Sequence, residues 1–387
     1  MLECQRAAFD LGDGVHYLNC AYMAPMSRSV ERAGLEGLAR KRRPYQLQAR
    51  HFFEESEQLR ERFARVLGLA DAERVALVPS VSYGMAIVAR NTSLLPSQKV
   101  VVAHEQFPSN VYAWRRLCAR HGARLEVVRA PIDGAGRARE WNARLVECID
   151  ASTALVALPH VHWADGTRFD LAAIAARARA VGAALVVDGT QSIGALPFDM
   201  AEIRPDALVC AGYKWLMGPY ALGYAYLGPR FEHGEPLEDN WIARASSEDF
   251  RGLVQYRDDY QPGARRFDMG ERSNLQSMPM ALAALEQVLA WGPERIQRYC
   301  SELAREIVAR AATLGFVAED EAWRGAHLFG LRAPRGVEVG RVSAALQTRE
   351  VHVSVRGDAI RVSPHVYNDS SDVDALVEAL REGCARS

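Results

Sequence analysis

Two hydroxyl groups and the start of a predicted helix follow the apolar run at residues 75–79. The sequence there is Ser80-Val81-Ser82, and we expect the helix to begin at Ser82. Free backbone N–H groups at a helix N-terminus favour phosphate binding, and nearby hydroxyls add further donors. The same residues are also typical of a simple helix cap, with Ser82 as the N-cap. The segment is therefore a candidate phosphate site or a helix cap.

An aromatic ring, a carboxylate and an amine follow three further apolar runs. They are Phe107 after residues 99–103, Asp188 at the end of residues 183–188, and Lys214 just beyond residues 207–212. The chain has only three lysines, so chemistry that needs a primary amine has few candidates. Taken alone, Phe107 could be a core residue, Asp188 an exposed acid and Lys214 a surface charge.

Taken together, these groups match one cofactor, pyridoxal 5′-phosphate. Its aldehyde forms an imine with a lysine amine, its pyridine nitrogen pairs with a carboxylate, and its phosphate is held by backbone N–H groups. Arginine cannot replace Lys214 in this role, because a guanidinium is not deprotonated in proteins. The residues that follow these apolar runs therefore predict a pyridoxal-phosphate site.

The elements that must position these residues alternate between apolar runs and helical patterns. Short apolar runs without polar alternation are typical of strands buried on both faces of a parallel sheet. Ligands of such sheets bind beyond the carboxyl ends of the strands. Helical periodicity separates the runs, as at residues 51–68 and 170–182. The predicted strands are 75–79, 99–103, 124–128, 154–159, 183–188, 207–212 and 221–228.

The rest of the chain predicts loops and a second, smaller domain. Residues 229–275 are rich in charged residues, Gly and aromatic residues, and we expect them to form loops around the mouth of a site. Two helical patterns then lead into short strand-like segments and a closing helix. We predict a large domain at residues 16–288 and a small α+β domain made of residues 1–15 and 289–387.

Composition and charge limit the classes of function. The 387 residues are 49% apolar and 25% charged, with a net charge of −1. This mixture is typical of globular proteins and excludes intrinsic disorder. The balanced charge disfavours binding to nucleic acid or to an anionic membrane surface. No run approaches the roughly 18 apolar residues of a membrane span, and the N-terminus lacks the apolar core of a signal peptide.

The cysteines and histidines predict neither a disulfide framework nor a metal site. The seven cysteines are odd in number and form no CxxC motif, which favours reduced thiols in the cytoplasm. His160 and His162 follow the predicted strand at 154–159, but no third ligand lies at metal-binding spacing. We expect a cytoplasmic protein without a metal centre.

The segment that contains Asp188 and Lys214 resembles a known family. The run VVDGTQSIGALPFD, followed by AGYKWLMGP, is similar to class V of the fold-type I pyridoxal-phosphate enzymes. This group includes cysteine desulfurases, kynureninases, isopenicillin-N-epimerase-like proteins and aminotransferases. The resemblance extends over nearly the whole chain, from YLNCAYMAP to RVSPHVYN. It implies the α/β architecture of fold-type I aminotransferases, with helices on both faces of a mostly parallel seven-stranded sheet and a smaller α+β C-terminal domain.

Carried over by position, the resemblance gives several residues a role toward the cofactor ring. Lys214 resembles the Schiff-base lysine, and Asp188 resembles the partner of the pyridine nitrogen. Gln191 matches a residue near the ring hydroxyl. Phe107 stands where the kynureninase branch stacks a Phe on the ring, whereas desulfurases have a His there.

The resemblance also implies how the phosphate is held. Its contacts are expected to come from Ser80, Val81 and Ser82, together with Tyr213. The segment RFDMGERSN, which contains Gly270, resembles the one that reaches the phosphate of the partner subunit. The family therefore implies a homodimer.

Arg361 resembles the arginine that binds the α-carboxylate of the substrate. Cysteine desulfurases carry a reactive Cys shortly before that arginine, but the sequence here is VHVSVRGDAI, without Cys. Cys210 lies within a predicted strand and is interpreted as a core residue. Cys20 either lines the substrate entrance or packs internally. Cysteine desulfuration is therefore disfavoured.

The leading hypothesis for function is an aminotransferase that acts on an amino acid or another primary amine. The alternatives are a class V lyase or hydrolase, either a C–S lyase or kynureninase-like, and an amino-acid epimerase. A non-catalytic role is disfavoured, since Lys214, Asp188 and Arg361 are all retained. Trp163 either stacks on the substrate or simply packs, and Trp241 is either a wall of the substrate pocket or a filler of the domain. The sequence does not predict the side chain of the substrate.

Overall fold

A seven-stranded sheet forms the centre of the protein in a computed structural model, which describes residues 2–131, 136–357 and 359–385. Two smaller sheets contain the other strands. In chain order the strands are β1 (His16–Tyr17), β2 (Val75–Val78), β3 (Lys99–Ala103), β4 (Arg124–Val128), β5 (Thr153–Pro159), β6 (Ala184–Asp188), β7 (Ala207–Ala211), β8 (Gly223–Leu227), β9 (Phe329–Arg332), β10 (Val351–His352), β11 (Ser354–Arg356) and β12 (Ala359–Val362).

Helices separate most of these strands and cover the central sheet. In chain order they are α1 (Arg28–Arg40), α2 (Glu54–Val66), α3 (Val81–Arg90), α4 (Tyr112–His121), α5 (Arg137–Cys148), α6 (Leu171–Ala180), α7 (Met200–Ile203), α8 (Ser277–Trp291), α9 (Pro293–Ala312), α10 (Val339–Thr348) and α11 (Ser370–Cys384). Within the described residues, none of them combines the length and the apolar composition that a membrane span requires.

The central sheet has the order β2-β8-β7-β6-β5-β3-β4. Only β8 runs antiparallel to its neighbours, β2 and β7. The prediction of a mostly parallel seven-stranded sheet is therefore confirmed. Apolar side chains from the two faces of the sheet belong to separate hydrophobic clusters, which shows that helices cover both faces.

The prediction that every strand of this sheet is buried on both faces is wrong for β4. This strand lies at the edge of the sheet and pairs only with β3. Four of its five residues are half-buried or exposed, whereas all residues of β3 are buried. Apolar residues favour strands at edges as well as at centres, so the apolar run alone could not distinguish the two positions.

Helix α1 was not predicted from the sequence. Ser27 caps it, accepting a hydrogen bond from Val30 N at 3.4 Å. Only Val30 and Gly37 of this helix are buried, while Leu35 and Leu38 are exposed. The helix therefore lacks the wide apolar stripe by which a surface helix is usually recognised.

The C-terminal part of the chain forms the smaller sheets with their own helices. Strands β11, β12 and β9 make an antiparallel sheet, and β1 pairs in parallel with β10. The N-terminal segment therefore packs beside the C-terminal strands. Gly292, at φ 78°, separates α8 from α9. We propose that the large domain of residues 16–288 and the small domain of 1–15 with 289–387 divide close to this turn.

Close packing of α3 on β7 brings two candidate site segments together. A Cβ atom at Gly84 would lie 2.5 Å from Cγ1 of Val209, so the helix approaches the strand where it has no side chain. The N-terminus of α3 lies after β2, and Lys214 follows β7. This contact places the helix N-terminus beside the carboxyl ends of the central strands.

Candidate active site

A cavity of about 330 Å³ lies beyond the carboxyl ends of the central strands. It contains most of the residues that the sequence singled out, contributed by the loops after β2, β3, β6 and β7. These residues are Ser80, Val81, Ser82, Phe107, Asp188, Gln191, Tyr213 and Lys214. Of the predicted site residues, Arg361 and Gly270 do not line this cavity.

The N-terminus of α3 provides the expected anion-binding end of the cavity. The helix begins at Val81, and Ser80 rather than Ser82 is its N-cap. Ser80 Oγ accepts a hydrogen bond from Tyr83 N at 3.1 Å and lies 2.9 Å from Ser82 Oγ. The N–H groups of Val81 and Ser82 belong to the helix turn that has no intrahelical acceptor. They are therefore available to bind an anion, together with the one hydroxyl that does not donate to the other.

Asp188 supplies a buried carboxylate at the end of β6. Its Oδ1 accepts a hydrogen bond from Thr190 N at 3.0 Å, which orients the carboxylate toward the cavity that it lines. Burial raises the pKa of Asp188, while Thr190 and the nearby Lys214 lower it. A buried carboxylate is stabilised most strongly by a cationic hydrogen-bond donor that lies against it.

Lys214 brings the only amine among the residues that line the cavity. Its Nζ lies 5.7 Å from the centre of the Phe107 ring and 5.6 Å from that of Tyr213. Burial is the main cause that lowers the pKa of Lys214 to about 8, and the charge of Arg361 contributes further. A much larger fraction of this amine is neutral, and therefore nucleophilic, near pH 7 than for an ordinary lysine.

Phe107 and Trp163 form an aromatic wall of the cavity. Their rings meet edge to face, with centroids 5.5 Å apart. Trp163 Nε1 donates a hydrogen bond to Glu105 O at 2.6 Å, which holds the indole in place. Trp163 therefore lines the cavity, where it can contact a bound molecule.

Gln191 and Tyr213 complete the polar lining near the amine. Gln191 Oε1 accepts a hydrogen bond from Trp215 Nε1 at 2.9 Å, and its Nε2 donates to Ala21 O at 3.2 Å. One N–H of this amide is left for a ligand. Burial raises the pKa of Tyr213, so its hydroxyl stays protonated and can donate to an anion.

Two further residues of the cavity were missed in the sequence. Gln106 and Asn110 are almost fully buried, and Gln106 Nε2 donates to Asn110 O at 2.6 Å. Gln106 Oε1 and Asn110 Nδ2 have no hydrogen-bond partner within the described residues. Both residues belong to EQFPSN, the segment after β3 in which only the aromatic residue was predicted to lie at the site.

Cys20 and Trp241 lie outside the cavity. Burial raises the pKa of Cys20 to about 12, so it is a protonated, packed thiol. Trp241 packs edge to face against Phe52, Phe53 and Phe250. Both residues therefore pack outside this cavity, although 40% of the Trp241 surface remains exposed.

Comparison with protein families shows to which family the chain belongs. The family described as Aminotransferase class-V matches residues 38–376. The chain belongs to this family.

Curated relatives of this class V aminotransferase family member have several different activities. The chain is 28% identical to an uncharacterised aminotransferase, YcbU, of Bacillus subtilis, over 84% of this chain and 83% of the relative. It is 26% identical to an isopenicillin N epimerase of Streptomyces clavuligerus, with the same two coverages. It is 27% identical to a cysteine desulfurase of Pectobacterium atrosepticum, over 84% of this chain and 81% of the relative.

Solved structures share the fold of this class V chain at low identity. A cysteine desulfurase from Thermococcus onnurineus superposes with a TM-score of 0.83 at 20% identity, covering 99% of this chain and 98% of the other. The cystine C-S lyase C-DES gives a TM-score of 0.83 at 19% identity, covering 95% of this chain and 97% of the other. The predicted fold-type I architecture is therefore confirmed.

Pyridoxal 5′-phosphate is the cofactor of this family and hence of this chain. The residues of the cavity fit the group. The free N–H groups of Val81 and Ser82 suit its phosphate, and the Asp188 carboxylate suits its protonated pyridine nitrogen. The unpartnered amide atoms of Gln106 and Asn110 provide additional polar contacts for a bound molecule.

Arg361 lies behind the aromatic wall instead of at the cavity surface. Only 1% of its surface is exposed. Its Nη1 donates to Trp163 O at 2.8 Å and its Nη2 donates to Ser354 Oγ at 3.2 Å. Its Nε is buried and, within the described residues, has no hydrogen-bond partner.

Gly270 is held away from the cavity of its own chain. Its N–H donates a hydrogen bond to Glu238 Oε2 at 2.6 Å. The preceding Asp268 is buried, accepts from Leu77 N at 2.9 Å and pairs with Arg60 and Arg272. These contacts fix Asp268 and the residues around it against β2.

Proposed function

We propose that this pyridoxal-phosphate enzyme transfers the amino group of an amino acid to a keto acid. The observation that carries the proposal is the pairing of one amine, Lys214, with the buried carboxylate of Asp188 in a cavity whose lining contains no thiol. When bound, the cofactor supplies an aldehyde that condenses with a primary amine and a ring that accepts electrons from a broken Cα bond.

Lys214 is the proton carrier in this proposal. Its pKa of about 8 lets Nζ both accept and donate a proton near neutral pH. With the cofactor bound, Nζ would take the proton from the substrate Cα and deliver it to the former aldehyde carbon. Asp188 holds the proton on the pyridine nitrogen throughout, and α3 anchors the phosphate through Val81 and Ser82.

The surroundings of Lys214 favour transamination over cysteine desulfuration and over epimerisation. Cysteine desulfuration needs a reactive thiolate, but Cys20 is buried and protonated and lies outside the cavity. The wall of Phe107 and Trp163 supplies no acid–base group for a second proton transfer to Cα. Epimerisation is the second candidate, because an isopenicillin N epimerase is among the relatives.

We also propose that the enzyme is a cytoplasmic homodimer. The segment 266–274 resembles the one that reaches the partner's phosphate in this family, and Gly270 lies outside the cavity of its own chain. All seven cysteines are free thiols, which suits a reducing compartment.

A single-turnover experiment tests the proposed reaction. We expect the holoenzyme, mixed with one amino acid at a time and no keto acid, to form stoichiometric pyridoxamine phosphate and the matching keto acid for its substrate. The cofactor spectrum and the released acid are measured together. Sustained turnover with the cofactor kept as aldehyde and a side-chain fragment released would indicate a lyase or hydrolase. Formation of the opposite enantiomer alone would indicate an epimerase.

A further inference from the structure

A second arginine lies next to Arg361 in the small antiparallel sheet. Ser354 of β11 is paired with Arg361 of β12, and Arg356 is two residues further along β11. Side chains two residues apart point to the same face of a strand. Diagonal neighbours on one face are about 7–8 Å apart, so Arg356 and Arg361 are within reach of one ligand.

Both arginines contact Trp163, which is part of the cavity wall, while neither arginine lines the cavity itself. The guanidinium carbon of Arg356 lies 5.4 Å from the centre of the Trp163 ring, and Arg361 donates to the carbonyl oxygen of the same residue. Arg356 Nη1 donates to Val355 O at 2.8 Å. Its Nε is buried and, within the described residues, has no hydrogen-bond partner, as is also true of Arg361 Nε.

Within the part of the chain that the structure describes, neither positive charge is paired with a carboxylate. No Asp or Glu of the described residues lies within ion-pair distance of either guanidinium. Burial and the charge of Arg356 lower the pKa of Arg361 to about 10. The charges of Arg361 and Arg356 also lower the pKa of Lys214, whereas the charge of Asp188 raises it. A dianionic ligand would relieve this repulsion better than a monoanion.

We propose that Arg356 binds a second carboxylate of the substrate, so that the enzyme selects dicarboxylic amino acids and their keto acids. The α-carboxylate is assigned to Arg361, and the side-chain carboxylate is assigned to Arg356. This inference depends on the proposed function in one respect, namely that the ligand of this cavity is an amino acid. Arginine suits the role because its planar N–H groups match the two oxygens of a carboxylate.

Binding of glutarate and of pentanoate to the holoenzyme tests this assignment. Both acids have the same carbon chain, but only glutarate has a second carboxylate, and neither has an amine that could react. We expect calorimetry to show glutarate binding at least tenfold more tightly than pentanoate. In Arg356→Gln, glutarate should lose about tenfold or more in affinity, while pentanoate should change by less than about twofold. Arg356→Lys should restore part of the loss.

The control is Arg349→Gln, which removes an exposed arginine paired with Glu382 at 2.5 Å and should leave both affinities unchanged. Equal weakening of both acids in Arg356→Gln would overturn the proposal, because Arg356 would then bind the α-carboxylate. Equal affinity of the wild-type enzyme for the two acids would overturn it without any variant. Since neither acid can be transaminated, these results do not depend on the reaction type.

Discussion

Replacing Lys214 by alanine is expected to abolish turnover. Loss of the proton transfer alone should lower the rate by about 10² to 10⁴, and loss of the covalent link to the cofactor adds to this. The reason is that no other amine lines the cavity. Single-turnover rates with the amino acid that reacts best measure the effect. A small primary amine added to the solution should recover part of the activity of Lys214→Ala.

The matched control for this variant is Lys41→Ala. Lys41 is exposed just after α1 and outside the cavity, so its replacement should leave the rate unchanged. Turnover of Lys214→Ala at the wild-type rate, or equal losses in the two variants, would show that Lys214 is not the proton carrier.

The change of Asp188 to Asn is expected to lower the rate more than the affinity for the cofactor. An amide oxygen can still accept the hydrogen bond from Thr190 N, so the local geometry should survive. The amide cannot stabilise a protonated pyridine nitrogen by charge, and such a charge-assisted bond contributes about 1.5–3 kcal/mol. We expect turnover to fall about tenfold to a hundredfold, while the contacts of α3 with the phosphate persist.

Cofactor affinity, measured by dialysis and absorbance, separates the two effects in Asp188→Asn. Asp170→Asn is the matched control, because Asp170 caps α6 outside the cavity and Asn is an equally good N-cap. Equal losses of rate and affinity in Asp188→Asn would assign Asp188 a structural role. Wild-type turnover of Asp188→Asn would also assign Asp188 a structural role.

The sequence predicted the central sheet and most of the cavity for a physical reason. Buried parallel strands must be apolar, and their carboxyl ends all lie at the same edge of the sheet. The residues after β2, β6 and β7 were therefore expected to lie near one another. Asp188 and Lys214 follow neighbouring strands of the sheet. Their proximity therefore follows from the strand order, which the apolar runs did not predict.

The details that the sequence missed depend on contacts between distant segments. Ser80 caps α3 in place of Ser82, because both serines satisfy the same preference for a helix N-terminus. The position of Arg361 behind Trp163 requires the small domain to pack against the loop after β5. The local sequence pattern carries no information about such packing. The unpartnered amides of Gln106 and Asn110 were missed for the same reason.

Borohydride reduction of the holoenzyme, followed by peptide mass spectrometry, tests most directly whether this cavity holds the cofactor. Reduction fixes pyridoxal phosphate to the lysine with which it has condensed. We expect one adduct per chain, on Lys214, with Lys41 and Lys99 unmodified. Lys99 lies at the start of β3 and pairs with Asp150 at 2.8 Å, away from the cavity. A stoichiometric adduct on Lys41 or Lys99, with Lys214 unmodified, would contradict the account.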